Sequence, residues 1–171
     1  VAQQRVPIHI RGTGDYPETG TMVVNSRISN ELLRGVAYEP GYTTMNITQM
    51  GMHDSIGFLS DLTAVYKQHK IPIAYIPCAI DDVTVVARSN TIHDLNALER
   101  DIIQSFEGTV SIQSQQDVGC IVTAGQGLRN RHGSSAKIQE ALADYNIRFI
   151  SQGANETAIV FGVNEQDGHT A

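Results

Sequence analysis

The chain lacks any apolar run close to the ~20 residues that a membrane-spanning helix requires. It also lacks the charged-then-apolar opening of a secretion signal, so a cytoplasmic protein is the expectation. Cysteine is scarce. Only Cys78 and Cys120 occur, neither with a second Cys or a His at metal-ligand spacing, and both read as small buried hydrophobes. Basic residues are outnumbered, 12 against 18 acidic, and the resulting charge of -6 offers no attraction to nucleic acid or to an anionic membrane. No Gly-rich phosphate loop ends in Lys and Ser or Thr, and no grouping of Ser, His and Asp or of Cys and His suggests a nucleophile system. No catalytic residue, metal or cofactor is therefore expected within the chain itself. The 41% of hydrophobic residues is ample for a core.

What is present is a repeat. Shifted by 76 residues, Gly51 to Asn90 lies over Gly127 to Gln166 without a gap, so that Gly51 meets Gly127, Gly57 meets Gly133 and Val83 meets Ile159. A unit that recurs with its glycines and its hydrophobic positions is a module with its own packing solution. Val6 to Ile10 and Thr21 to Val24 read as a short strand pair around the turn residues of Gly12 to Gly20. Ser26 to Arg34 suggests a helical linker, and Gly35 to Glu39 a brief strand closed by Pro40 and Gly41.

The first copy then reads as a strand from Thr44 to Met50, a Gly-bounded loop and a helix from Phe58 to Lys70. In that helix Leu62, Val65, Tyr66 and His69 share one face. Strands follow at Ile71 to Ile80 and Val83 to Ala87, then a helix from Ile92 to Phe106 with Thr91 and Asp94 as its cap, and a closing strand at Val110 to Gln113. The order β-α-β-β-α-β is that of a ferredoxin-like sandwich, so the fold class is α+β with two such modules. The second copy has Cys120 to Ala124, a helix from Ser134 to Tyr145, and strands at Ile147 to Ser151 and Thr157 to Val163. Its second helix would start near Glu165. The chain begins at Val1 rather than Met and reads as a piece of something longer, and Gly35 to Glu39 is the candidate for the place left open in the second sheet.

One loop stands out chemically. Gly51 to Gly57 joins a strand end to a helix start, where the first backbone N–H groups have no internal partner and negative charge is favoured. An amino-acid carboxylate suits that position. Gly57 permits close approach, Ser55 offers a hydroxyl and Asp54 a carboxylate for an ammonium group; the alternative is that Ser55 simply caps the helix. In the second copy Arg129, Arg131 and His132 occupy the matching loop, either to hold an anion or as solvated side chains. The strands lack the interleaved aromatics with which a ferredoxin-like sheet stacks RNA bases.

The stretch Met52 to Leu59, Met-His-Asp-Ser-Ile-Gly-Phe-Leu, with the helix and the strand Ile71 to Ile80 after it, resembles the first ACT domain of aspartate kinases, the lysine-sensitive type in particular. Asn146 to Ala154 is similar to the strand and turn of that family's second ACT domain, and Val6 to Ile10 with Pro17 to Met22 resembles the last strands of its kinase domain. The resemblance implies the regulatory region of an enzyme that phosphorylates aspartate, the first step toward lysine, threonine and methionine. It implies residues 1–25 as the kinase-domain end and linker, 44–116 as one ACT domain, and 34–43 with 117–171 as another into which the first is inserted. ATP and magnesium would belong to the kinase domain preceding these residues.

Also implied are a homodimer through the ACT domains and a feedback amino acid, lysine or threonine, at its interface. The implied effector contacts are Met52, Ser55, Gly57, Phe58, Leu59, Ile73, Cys78 and Ala79. At the position where lysine-sensitive relatives carry an Asp for the effector's ammonium, this chain has Ala74, so Asp54 or another acid substitutes or the ligand is not lysine. A dimerisation module without an effector is the competing expectation.

Overall fold

The computed structural model describes residues 6–14, 20–24 and 31–171. The chain divides into two compact units, Val1–Glu31 and Leu32–Ala171. In the first, β1 (Ile8–Ile10) pairs antiparallel with β2 (Thr21–Val23). The expected turn from Gly12 to Gly20 and the expected linker from Ser26 to Arg34 lie partly outside the described residues, and residues 31–34 form no helix.

The second unit is one six-stranded antiparallel sheet with three α-helices. Its elements are β3 (Gly35–Thr48), α1 (Phe58–Gln68), β4 (Ile73–Tyr75), β5 (Asp82–Arg88), α2 (Leu95–Ser105), β6 (Ser111–Ala124), α3 (Ser134–Ala141), β7 (Phe149–Ser151) and β8 (Ala158–Asn164). The sheet order is β4-β5-β3-β6-β8-β7. Offset by 76 residues, the ranges of β3, β4 and β5 become those of β6, β7 and β8, and the start of α1 becomes the start of α3. Duplication thus extends through the two central strands, beyond the segment in which the sequences visibly match.

Those central strands correct two expectations. Gly35 to Glu39 does not end at Pro40 and Gly41 but runs on to Thr48, and the strand expected at Val110 to Gln113 starts at Ser111 and runs on to Ala124. Pro40 and Gly41 sit instead at a bulge, where the β3–β6 register shifts between Glu39 and Tyr42; Gly41 has φ 84° and its counterpart Asp117 φ 57°. A bulge leaves a residue unpaired and accepts both Pro and a left-handed backbone within a strand. Each long strand therefore serves both modules. Thr44–Thr48 of β3 lies between β5 and the start of β6, while Gly35–Glu39 pairs with Cys120–Ala124 at the end of β6, filling the open place in the second sheet.

Val83, Val85 and Ala87 of β5 face α1 and α2, packing with Met45, Ile47, Leu62, Tyr66, Leu98 and Ile102. Their counterparts Ile159, Phe161 and Val163 pack under α3 with Ile138 and Leu142. The alternate residues Val86 and Val160 point to the other face and meet Tyr42, Val118, Cys120 and Phe149. Tyr75 and Phe149 come from opposite edges of the sheet, yet their rings lie 6.0 Å apart. The sheet is therefore bent at its bulges and closes over this third cluster.

Smaller corrections follow from local hydrogen bonding. The strand expected from Ile71 to Ile80 is reduced to Ile73–Tyr75 and an isolated bridge from Cys78 to Val83, because Pro72 and Pro77 cannot donate to a ladder. Asp94 alone caps α2, accepting the Ala97 amide at 2.9 Å; Thr91 sits in a preceding 3-10 turn and donates to the Arg88 carbonyl. Cys120 is buried as expected, whereas Cys78 is exposed.

Candidate functional site

The loop between β3 and α1 is fastened at both ends. Asp81 accepts the Gly51 amide at 2.8 Å and the Asp81 carbonyl accepts the Gln49 amide at 2.9 Å, while the Met52 side chain is buried as an anchor. Residues 52–54 make one 3-10 turn, closed by the Ser55 amide on the Met52 carbonyl at 3.0 Å. Gly57 then takes the N-cap position of α1 with φ 88°, a backbone conformation that costs other residues about 1–2 kcal/mol. No side chain caps the helix, so Ser55 does not serve as its cap. The first intrahelical bond is that of Asp61 to the Gly57 carbonyl at 3.0 Å, which leaves the amides of Phe58, Leu59 and Ser60 without a helical partner.

These groups border a cleft of about 350 Å³ lined by Met52, His53, Ser55, Gly57, Phe58, Leu59, Ser60, Cys78 and Ala79. Its floor is rigid. Phe58 is buried with its ring 4.7 Å from that of Phe106, and the Ala79 amide donates to the Asp82 carbonyl at 2.7 Å, holding the opposite wall against β5. Of the residues expected from the sequence, Met52, Ser55, Gly57, Phe58, Leu59, Cys78 and Ala79 meet at this cleft.

Asp54, Ile73 and Ala74 do not line it. Asp54 is exposed and turned to His53, with 3.2 Å between Oδ2 and Nε2. Ile73 packs inward against the cluster under α1 and α2, which leaves Ala74 on the exposed face of the short strand. Two lining residues were not foreseen. His53 belongs to the loop already singled out, and Ser60 is the third residue of α1, a position whose amide is unpaired in any helix. The role of Asp81 as fastener had no signal beyond a turn-forming Asp pair.

In the second module the same loop is tied to the turn before the last strand. Gly133 caps α3 with φ 74°, but Arg129 reaches from the loop to Glu156, 2.5 Å from Nη2 to Oε1, and to the Gly153 carbonyl at 3.4 Å. Glu156 and Gly153 are the counterparts of Ile80 and Pro77. The position of Phe58 is held by Ser134, whose hydroxyl donates to the Arg131 carbonyl at 2.7 Å. Arg129 is thus matched by an acid rather than held ready for an anion. Among the described residues no cluster of His, Cys, Asp and Glu is arranged to hold a metal ion, and no helix is long and apolar enough to cross a membrane.

Residues 121–171 match the family model of the ACT domain. The chain carries an ACT domain. The first module repeats the topology of that ACT domain strand for strand, and the whole chain is homologous to aspartokinases. It is 28% identical to aspartokinase 3 of Bacillus subtilis over 172 residues, covering 97% of this chain and 37% of that protein. It is 21% identical to lysine-sensitive aspartokinase 3 of Escherichia coli over 164 residues, covering 95% of this chain and 36% of that protein. The chain thus spans a little over a third of the length of these relatives. The crystal structure of Clostridium acetobutylicum aspartate kinase has the same fold, with a TM-score of 0.87 at 22% identity over 97% of this chain and 39% of that one.

Proposed function

We propose that the chain is the regulatory region of an aspartate kinase and that the cleft of its first module binds a free amino acid as feedback effector. The observation that carries this reading is the contrast between two copies of one geometry. In the first, three helix-start amides border an open cleft; in the second, Arg129 of the loop is paired with Glu156 of the turn before the last strand. The amides of Phe58, Leu59 and Ser60 suit a carboxylate, and the apolar wall formed by Met52, Phe58, Leu59 and Ala79 suits a side chain. The Escherichia coli relative is a lysine-sensitive aspartokinase, so lysine stands beside threonine among the effectors to test.

Exposed apolar side chains crowd the rim of the cleft. Met50 is 93% exposed, Ile80 68%, Leu59 44%, and Ile56 is fully in solvent. A second copy of the chain laid against this rim covers both the patch and the mouth of the cleft. Regulation then operates through two arrangements of the dimer, one of which binds the amino acid better; only that difference in affinity can be transmitted to a kinase domain carrying ATP and magnesium. Titration calorimetry with lysine, threonine, methionine and S-adenosylmethionine tests the reading. Heat with at least one of them is expected, and no heat with any leaves a dimerisation module without an effector.

A further inference from the structure

None of the nine residues lining the cleft is an aspartate or a glutamate. An ammonium group carried into it loses its water shell and meets no ionised acceptor, the situation in which a buried charge is most costly. Three carboxylates stand nearby, and none lines the cleft. Asp54 and Asp81 both face the imidazole of His53, at 3.2 and 3.8 Å, and Asp81 is held further by the Gly51 amide at 2.8 Å. Asp61 borders the groove between α1 and α2, with Oδ2 3.9 Å from where a Cβ on Gly57 would lie, and is not among the lining residues of the cleft. Two of these acids are therefore turned to a lining base, His53, and not to the space of the cleft.

The remaining walls are apolar or weakly polar: Met52, Phe58, Leu59, Cys78 and Ala79, with the hydroxyls of Ser55 and Ser60 near the helix start. From this lining we infer that the cleft selects amino acids with uncharged, largely apolar side chains over those with a cationic side chain, lysine included. The inference rests on the reading of the cleft as an amino-acid site and assigns its selectivity. The carboxylate of the ligand lies on the amides of Phe58 to Ser60, its α-ammonium meets the hydroxyls of Ser55 and Ser60, and its side chain covers the apolar wall.

Lysine and norleucine have the same carbon chain and differ in the terminal ammonium, so calorimetric titration of the protein with each isolates that group. Norleucine is expected to bind at least about tenfold more tightly than lysine, a difference that one unpaired charge readily produces. In a Cys78→Asp variant, which puts a carboxylate into the lining, that preference is expected to shrink or reverse. Lysine binding as tightly as norleucine, or more tightly, in the unaltered protein overturns the selectivity and leaves the amino-acid site standing. No heat with norleucine, lysine, threonine or methionine overturns both.

Discussion

Cys120 and Cys78 have the same side chain and opposite surroundings. Burial, and then the charge of Glu39, pushes the Cys120 thiol from 9.0 up to about 12, whereas Cys78 is exposed at the wall of the cleft. The thiolate is the reactive form, so labelling with iodoacetamide at pH 8 is expected to modify one thiol per folded chain, and none in a Cys78→Ser variant. Labelling of Cys120 at the same rate as Cys78 would contradict its place in the core. The sign for stability follows from the same shift. The unfolded thiol loses its proton near pH 9 while the folded one keeps it to about 12, so this contribution is complete below pH 9 and is lost as pH rises through that window. Tyr66 acts in the same direction, its phenol raised first by burial and then by Glu99. Chemical denaturation at pH 7 and pH 11 is expected to show the lower stability at pH 11.

Among the elements, α2 offers the cleanest test because one side chain starts it. Asp94 accepts the Ala97 amide, and Leu98 and Ile102 from the same helix are wholly buried. Asp94→Ala is expected to lower unfolding free energy by about 1 kcal/mol, read from urea midpoints, whereas no change would mean the cap contributes nothing. The helices, including this one, were legible because their apolar residues recur at helical spacing and their ends carry Asp or Gly. The long strands β3 and β6 were not. Pro40 and Gly41 have the composition of a terminator, and only the pairing partner decides whether such residues stop a strand or bulge it. In the candidate site, the loop and helix start were legible for the same reason as the helix itself. Asp54 was misplaced because a loop side chain turns to whatever lies nearest, here His53, and sequence spacing does not report that.

At the scale of the whole molecule, duplication has made two modules that share their central strands, with the sheet bent at matching bulges so that Tyr75 and Phe149 meet. The copies have diverged where the loop meets the turn before the last strand. Ile80 is exposed in the first, and its counterpart Glu156 is paired with Arg129 in the second. An apolar rim on one copy alone gives a single face for self-association. Ile56 is fully exposed, so Ile56→Asp is expected to leave the unfolding free energy of the monomer within about 0.5 kcal/mol of the parent while abolishing the proposed self-association in sedimentation velocity. A dimer that survives this change would move the interface elsewhere.

The central claim, that the open cleft of the first module and not the matching loop of the second receives an amino acid, is tested most directly by following backbone amide resonances while norleucine or threonine is added to the protein. The account predicts progressive shifts at Phe58, Leu59, Ser60, Cys78 and Ala79, with Ser134, Ser135 and Ala136 unmoved. Shifts confined to the second set, or none at either helix start under saturating ligand, would contradict it.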